Sequence, residues 1–229
     1  MLSNESAAFA WITSCGGAET TLLCGFSVRH FYLHPFLPDS AGTIRLRPCM
    51  NIVTKALKWY SGLLAFSLIW LFFQKRLAWT LLGSSNPFTL GKDLVIGVAL
   101  ALGLVFFSLF ASRHFLWAKL LEEEFLRILT PLSFRKIFFL GLSSGIAEEL
   151  FFRGALLGGT GLYFSSFLFG LAHLIPRREL IPWAFYASLV GFIFGCVVEI
   201  RHTLLPVILA HSLMNILLIQ LLNRRGTGG

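Results

Sequence analysis

Long apolar stretches separated by short polar connections dominate the chain after residue 50. A helix that crosses the hydrocarbon core of a bilayer needs about 20 mainly apolar residues, and about six segments approach that length. They lie near residues 57–74, 93–112, 136–157, 160–176, 182–200 and 204–222. The pattern predicts an all-α fold, a polytopic transmembrane helical bundle of about six spans.

One connection is itself patterned. Between the second and third predicted spans, apolar residues alternate with charges from Phe115 to Leu129. This pattern is typical of an amphipathic interfacial helix on the membrane surface, and it fits equally well a helix packed against the protein's own flank. Glu122, Glu123 and Glu124 are predicted to form a solvated face of this helix.

Residues 1–49 differ from the rest of the chain. They mix Ser, Gly, Pro and Thr with isolated aromatic residues and show no sustained period, which predicts a poorly ordered N-terminal extension. Met50 opens a segment typical of the beginning of a membrane protein, so our hypothesis is that Met50 is the working start and residues 1–49 are a misassigned extension. Residues 50–229 are predicted to form one membrane domain.

Composition supports a membrane protein. Of the 229 residues 56% are hydrophobic and 13% charged, whereas soluble domains carry about 25% charged residues. The net charge of +8 invites a nucleic-acid partner, but the cations form short clusters between apolar segments and no nucleic-acid-binding motif is present. The bilayer, and no nucleic acid, is therefore the expected environment; the sequence indicates no oligomeric state.

The cations also predict the orientation of the chain. Most Lys and Arg residues around the predicted spans fall on one side, and Lys75, Arg76, Lys92 and Arg201 fall on the other. Because cytoplasmic loops carry the excess of positive charge, both termini are predicted to be cytoplasmic.

Three ionisable residues lie inside the third predicted span, namely Glu148, Glu149 and Arg153. An isolated charge at the bilayer centre costs at least about 2.5–3.5 kcal/mol, so each needs a partner or a function. Glu149 and Arg153 are four residues apart and share a helix face, whereas Glu148 points about 100° away. The spacing predicts an internal ion pair and one free carboxylate suited to act as a general base.

Two further segments offer inward polar groups. Phe169 and His173 lie four apart in the fourth predicted span, and His211 and Asn215 lie four apart in the sixth. A carboxylate and two imidazoles, His173 and His211, can bind Zn²⁺ with a position left open for water, or can activate water by hydrogen bonding alone. Taken singly, each could be an interfacial histidine or a hydrogen bond between helices; together with the glutamates they indicate a site.

The predicted spans place Glu148 and His173 at different depths in the membrane, although a common site requires them to lie at the same depth. Glu148 lies about 18 Å along its predicted span at 1.5 Å per residue, whereas His173 lies near the end of the next span. We expect either that the connection over residues 176–182 turns inward or that the helices tilt strongly.

The segments EELFFR (Glu148–Arg153), FGLAH (Phe169–His173) and HSLMN (His211–Asn215) resemble, in order and approximate spacing, the EExxxR, FxxxH and HxxxN motifs of the CAAX-protease and bacteriocin-processing family. This family, also called CPBP or Abi, includes the type II CAAX prenyl endopeptidases. The resemblance runs from about residue 136 to 222, the motif core of the predicted domain.

The resemblance implies an intramembrane endopeptidase. By this resemblance, Glu148 is expected to be the general base, and Glu149 and Arg153 are expected to support it. His173 positions water or binds metal, and His211 with Asn215 stabilises the oxyanion. Family members are described both as metalloproteases and as metal-free, glutamate-dependent enzymes, so the choice between Zn²⁺ and no metal stays open.

The resemblance also implies substrates and a location. Substrates would be prenylated C termini, bacteriocin leaders or C-terminal sorting tails. The compact chain favours a membrane-associated protein or peptide and a bacterial inner membrane. Two alternatives use the same residues, a proton-coupled transporter or ion pathway and a catalytically silent immunity scaffold.

Overall fold

A computed structural model of the protein describes residues 50–76, 86–129 and 131–227. These residues are almost entirely helical and include no strand, which confirms the predicted all-α fold. The α-helices are α1 (Met50–Phe73), α2 (Pro87–His114), α3 (Leu116–Leu129), α4 (Phe134–Glu149), α5 (Leu157–Thr160), α6 (Leu162–Ala172), α7 (Ile181–Arg201) and α8 (Leu205–Thr227). The extension predicted over residues 1–49 lies outside the described residues.

In the described part of the chain, four helices are long and apolar enough to cross a membrane: Ile52–Phe73, Pro87–His114, Arg178–Arg201 and Leu205–Gly226. Their outward faces carry large apolar side chains, as the exposed fractions of Phe106 (73%) and Phe72 (67%) illustrate. Such faces suit contact with lipid rather than water. The protein is therefore an integral membrane protein.

The third predicted span is one continuous helix that changes from α-helical to π-helical and back to α-helical geometry. The α4 helix continues through a π-helical segment, Leu150–Leu156, into α5. Within the π-helical segment, the Phe152 carbonyl accepts a hydrogen bond from Ser165 Oγ (2.9 Å), and the Ala155 carbonyl accepts one from Gln74 Nε2 (3.1 Å). π-Helical turns are rare and often occur at functional sites, and this one begins directly after Glu149.

The fourth predicted span is shorter than expected. The α6 helix has 11 residues, about 16 Å at 1.5 Å per residue, whereas a bilayer's hydrocarbon core is about 30 Å thick. Gly161, with φ of +81°, turns the chain between α5 and α6. The chain therefore returns only part of the way along α4 before α6 ends at Ala172.

This half-length helix resolves the problem of depth. Glu148 lies about 18 Å before the end of α5, and His173 follows α6 after about 16 Å of return path, at 1.5 Å per residue. The two side chains therefore meet at the same level, and the connection after His173 starts beside the site rather than at the end of a full span.

The α4 and α8 helices pack against each other through two glycines. A Cβ added to Gly145 would lie 2.7 Å from the backbone nitrogen of Ser212, and one added to Gly141 would lie 2.9 Å from that of Ile216. Glycines four residues apart allow helix backbones in membranes to approach closely. This contact brings α8 near enough for its histidine to reach the glutamates of α4.

The α1 helix runs parallel to α4 and the π-helical segment. Near the start of both, Val53 shares an apolar cluster with Ile137. Further along, the Trp70 ring lies 6.0 Å from the Phe151 ring. The middle of α1 therefore lies alongside the residues that precede Phe151.

The α3 helix packs on the protein, as one of the two interpretations of its pattern predicted. Ala118, Leu121 and Glu124 are buried at a spacing of three, while Leu116 stays exposed. The prediction of a solvated Glu124 is therefore wrong. Its Oε1 accepts a hydrogen bond from Arg177 (2.7 Å) in the connection after His173. A glutamate is buried only when it has such a partner, and the local sequence pattern does not reveal that partner.

We predict that Gly145→Ala destabilises the bundle by about 1–3 kcal/mol, the usual cost of overpacking, because the added methyl group meets the α8 backbone. Thermal unfolding of the purified protein in detergent measures this effect. The matched control is Gly103→Ala in α2, where an added Cβ meets nothing within 4 Å. Equal melting temperatures for the two variants would contradict the close packing of α4 on α8.

Candidate active site

Glu149 is completely buried and binds two partners. Its Oε1 accepts one hydrogen bond from Arg153 (2.9 Å) and one from His211 Nδ1 (2.8 Å). The pairing of Glu149 with Arg153, predicted from a spacing of four, is thus present. The network also joins the third predicted span to α8.

Aromatic rings surround the Arg153 guanidinium. Its Cζ lies 4.2 Å from the centroid of the Phe169 ring and 5.6 Å from that of Phe194. A cation over a ring face is stabilised by the ring quadrupole, most strongly away from water. On the remaining side, Gly191 leaves room for the guanidinium, since a Cβ there would lie 3.1 Å from Arg153 Nη2. The first residue of the FxxxH motif therefore packs against the arginine of the EExxxR motif.

Glu148 faces a different partner, as the helical spacing predicts. Its Oε2 lies 3.7 Å from His173 Nε2, and 12% of its side-chain area is exposed. At this distance the two atoms form no direct hydrogen bond, and Oε2 has no hydrogen-bond partner among the described residues. This carboxylate oxygen is thus buried and available for a further ligand.

The orientation of His173 follows from its second nitrogen. Nδ1 lies 2.8 Å from the Phe169 carbonyl oxygen. Because a carbonyl can only accept, Nδ1 carries the proton and donates it. The Trp183 ring packs edge-on against the imidazole, 5.8 Å away. In the neutral imidazole, Nε2 is therefore an acceptor that points at Glu148.

Asn215 reaches α4 one turn before the glutamates. Its Nδ2 donates to Ser144 Oγ (2.9 Å), which in turn donates to the Gly141 carbonyl (3.0 Å). Asn215 and His211, four apart on α8, thus contact α4 at two successive levels. The structure places Asn215 on Ser144 and not on a histidine.

The structure also brings in Tyr60, which the sequence reasoning missed. This tyrosine of α1 lies close enough to Glu148 to interact with it electrostatically. The signal available in the sequence was a hydroxyl-bearing ring within an apolar segment, which is common in membrane helices and does not point to a site. Ser144 could have been found, because it lies four residues before Glu148.

The six residues predicted from the motifs therefore come together on adjoining helices. Arg153, Glu149 and His211 form one network, and Glu148 with His173 forms a second group beside it. The charge of Glu148 also acts on His211 and Arg153. Asn215 lies at the edge of this arrangement.

Comparison with known families supports the resemblance carried by these motifs. Residues 130–217 match the family model described as type II CAAX prenyl endopeptidase Rce1-like. This segment of the chain is similar to that family. It contains all six predicted site residues, while α1, α2 and α3 lie outside the match. No curated protein and no solved structure showed a significant match.

The similarity to the Rce1-like family indicates peptidase activity in general, and a peptidase of this kind can use a metal ion. No group of three His, Cys, Asp or Glu side chains suited to a metal occurs in the described part of the chain. The Nδ1 atoms of His173 and His211 are engaged in hydrogen bonds, which leaves Nε2 as the ring nitrogen open to a ligand. The described residues therefore do not supply the three protein ligands that a catalytic zinc uses.

We predict that Arg153→Ala unfolds the protein or lowers its stability by about 3–5 kcal/mol, the usual cost of removing one partner of a buried ion pair. The reason is that Glu149 is left as an uncompensated buried charge. Melting temperature and monodispersity in detergent measure the effect. Arg178→Ala, at an exposed arginine of the 3-10 turn, serves as the control. A stable Arg153→Ala protein would contradict the structural role of this pair.

Proposed function

We propose that this protein is an intramembrane endopeptidase in which Glu148 is the general base. The observation that carries the proposal is Glu148 Oε2, a buried carboxylate oxygen without a hydrogen bond, 3.7 Å from His173 Nε2. Its neighbour Glu149 is fully buried, and its Oε1 is already bound to Arg153 and His211, whereas 12% of the Glu148 side chain is exposed. The adjacent carboxylates therefore have separate tasks, one in structure and one in chemistry.

The two facing acceptors suit a water molecule. Glu148 Oε2 and the neutral His173 Nε2 both lack a proton to share, and water has two O–H donors. A water between them would donate to both, with its oxygen free to attack a carbonyl carbon. A general base must lie about 2.6–3.2 Å from the heavy atom that it deprotonates, and a water oxygen between Glu148 Oε2 and His173 Nε2 would meet this requirement.

The reaction follows from this placement. Glu148 removes a proton from the water as its oxygen bonds to the scissile carbonyl carbon, giving a tetrahedral oxyanion. When the C–N bond breaks, the carboxylic acid of Glu148 returns the proton to the leaving amine. Asn215 on α8, and His211 through Nε2 when its imidazole is protonated, are proposed to donate hydrogen bonds to the oxyanion.

We propose that the reaction needs no resident metal. Support comes from the lack of a group of three His, Cys, Asp or Glu donors in the described residues. In this scheme His173 orients the water through Nε2, and the Phe169 carbonyl fixes the imidazole.

The proposed substrate is a membrane-associated protein or peptide. The family's description refers to prenylated CAAX ends, while the short chain is equally compatible with unprenylated tails. The proposed setting is a bacterial inner membrane with both termini in the cytoplasm, in line with the distribution of Lys and Arg.

We predict that Glu148→Gln lowers the turnover number by about 10²–10⁴-fold, the range attributed to a general base, with a melting temperature close to that of the unaltered protein. His173→Ala should cause a comparable loss. The assay follows two internally quenched peptides, one ending in a farnesylated Cys-a-a-X sequence and one with the same sequence without the lipid. Cleavage of one probe only also assigns the substrate class.

The matched control is Glu123→Gln, at an exposed carboxylate of α3, which should keep full activity. If Glu148→Gln cleaves the peptides as fast as the unaltered protein, Glu148 is not the base and the proposal fails.

We predict that removal of divalent metal leaves activity unchanged. The purified protein is dialysed against a chelator, its metal content is measured by mass spectrometry, and peptide cleavage is compared before and after. Zinc at one ion per chain, with activity lost on dialysis and restored by added zinc, would overturn the metal-free scheme.

A further inference from the structure

We propose that Arg177 is a positioning residue for His173, because it ties the connection after His173 (residues 174–180) to the buried carboxylate of Glu124 on α3. This inference rests on the proposed function of Glu148 and His173. Glu124 lies outside the segment that matches the family model. The candidate site would therefore depend on α3, a helix that the family match does not cover.

His173 needs an anchor because α6 ends at Ala172. Its imidazole is oriented by the Phe169 carbonyl, which fixes the ring relative to α6 but not the end of α6 relative to other helices. Catalytic groups must be held to within about 0.5 Å of their productive geometry. The backbone hydrogen bonds described around this connection join residues only two or three apart: His173 to Gly170, Leu174 to Leu171, Arg177 to Ile175, and Leu180 to Arg177.

The ion pair between Arg177 and Glu124 supplies a contact with another helix. Arg177 Nη1 donates a hydrogen bond to Glu124 Oε1 (2.7 Å), joining positions 53 residues apart. Only 8% of the Glu124 side chain is exposed, so the carboxylate is costly to leave without its cation. Arg127, one turn further along α3, lies 3.4 Å from the second oxygen of Glu124. Glu179 also lies 3.6 Å from Arg177 Nε, but it belongs to the same connection and cannot anchor it.

The α3 helix can act as an anchor because it is itself held by α8. The two helices pack against each other, and the connection packs on α3 through its 3-10 turn. Shortly after α3 ends, the side-chain amide of Asn223 on α8 accepts a hydrogen bond from the Leu132 N–H (2.8 Å) and donates one to the Leu132 carbonyl (3.0 Å). Both histidines of the candidate site are thus held from α8, His211 as part of that helix and His173 through α3 and Arg177.

The first test removes each charge and keeps a polar side chain. Arg177→Gln and Glu124→Gln should each lower kcat for the cleaved peptide by about 10- to 100-fold, the loss expected when a reacting group is misplaced by about 1 Å, with KM unchanged. The double variant should lose no more than either single variant, because both changes remove the same contact. The matched control is Arg178→Gln, at the exposed neighbouring arginine, which should keep kcat. A normal kcat for Arg177→Gln, or losses that multiply in the double variant, would overturn the proposal.

A second measurement does not depend on activity. Spin labels are attached through Glu123→Cys on α3 and Arg178→Cys in the connection, both at exposed positions, after the four native cysteines have been replaced by alanine. Pulsed electron paramagnetic resonance in detergent then measures the distance between the labels. Arg177→Gln should broaden or shift the distance distribution, whereas Lys119→Gln, which removes an exposed cation of α3, should not. An unchanged distribution for Arg177→Gln would show that the ion pair does not place the connection.

The two measurements separate this proposal from the proposed function. If peptides are cleaved but neither kcat nor the label distance responds to Arg177→Gln, the positioning role fails and the endopeptidase stands. If no peptide is cleaved while Arg177→Gln alters the label distance, the endopeptidase fails, and with it the catalytic purpose of an anchor that is nevertheless real.

Discussion

The structure depends on the buried carboxylate of Glu149, which binds Arg153 and His211 with one oxygen. An unpaired ion in an apolar interior is very costly, so the helices that supply its partners must pack closely around it. Gly145 meets this demand by letting the backbones of α4 and α8 approach. The histidine of α8 thereby reaches a carboxylate of α4, and the same approach sets the width of the candidate site.

The division of labour between adjacent glutamates follows from this constraint. Consecutive residues on a helix point about 100° apart, so Glu149 can bind Arg153 and His211 without including Glu148. Glu148 is then free to face His173 across 3.7 Å. A helix that carried a single glutamate would have to use it either for stability or for chemistry.

Much of this could be predicted from the sequence, because hydropathy and helical spacing are local properties. The all-α membrane fold and the pairing of Glu149 with Arg153 follow from them directly. The length of α6 could not be predicted, since apolar residues continue past Ala172 and tertiary contacts determine where the helix ends. Tyr60 and Glu124 were missed for a related reason, because their partners lie on helices distant in sequence.

The shortened α6 helix also accounts for how the candidate site can lie part-way along the helices of a membrane protein. The chain leaves α6 at His173 and begins α7 near Trp183, whose ring contacts the same imidazole. Both ends of the connection therefore stay beside Glu148. The residues between them include the exposed charges of Arg178 and Glu179 and the ion pair of Arg177 with Glu124. A full-length helix would have placed these polar groups about 15 Å further from the site, whereas the truncated one keeps hydrated side chains within a few residues of the proposed base.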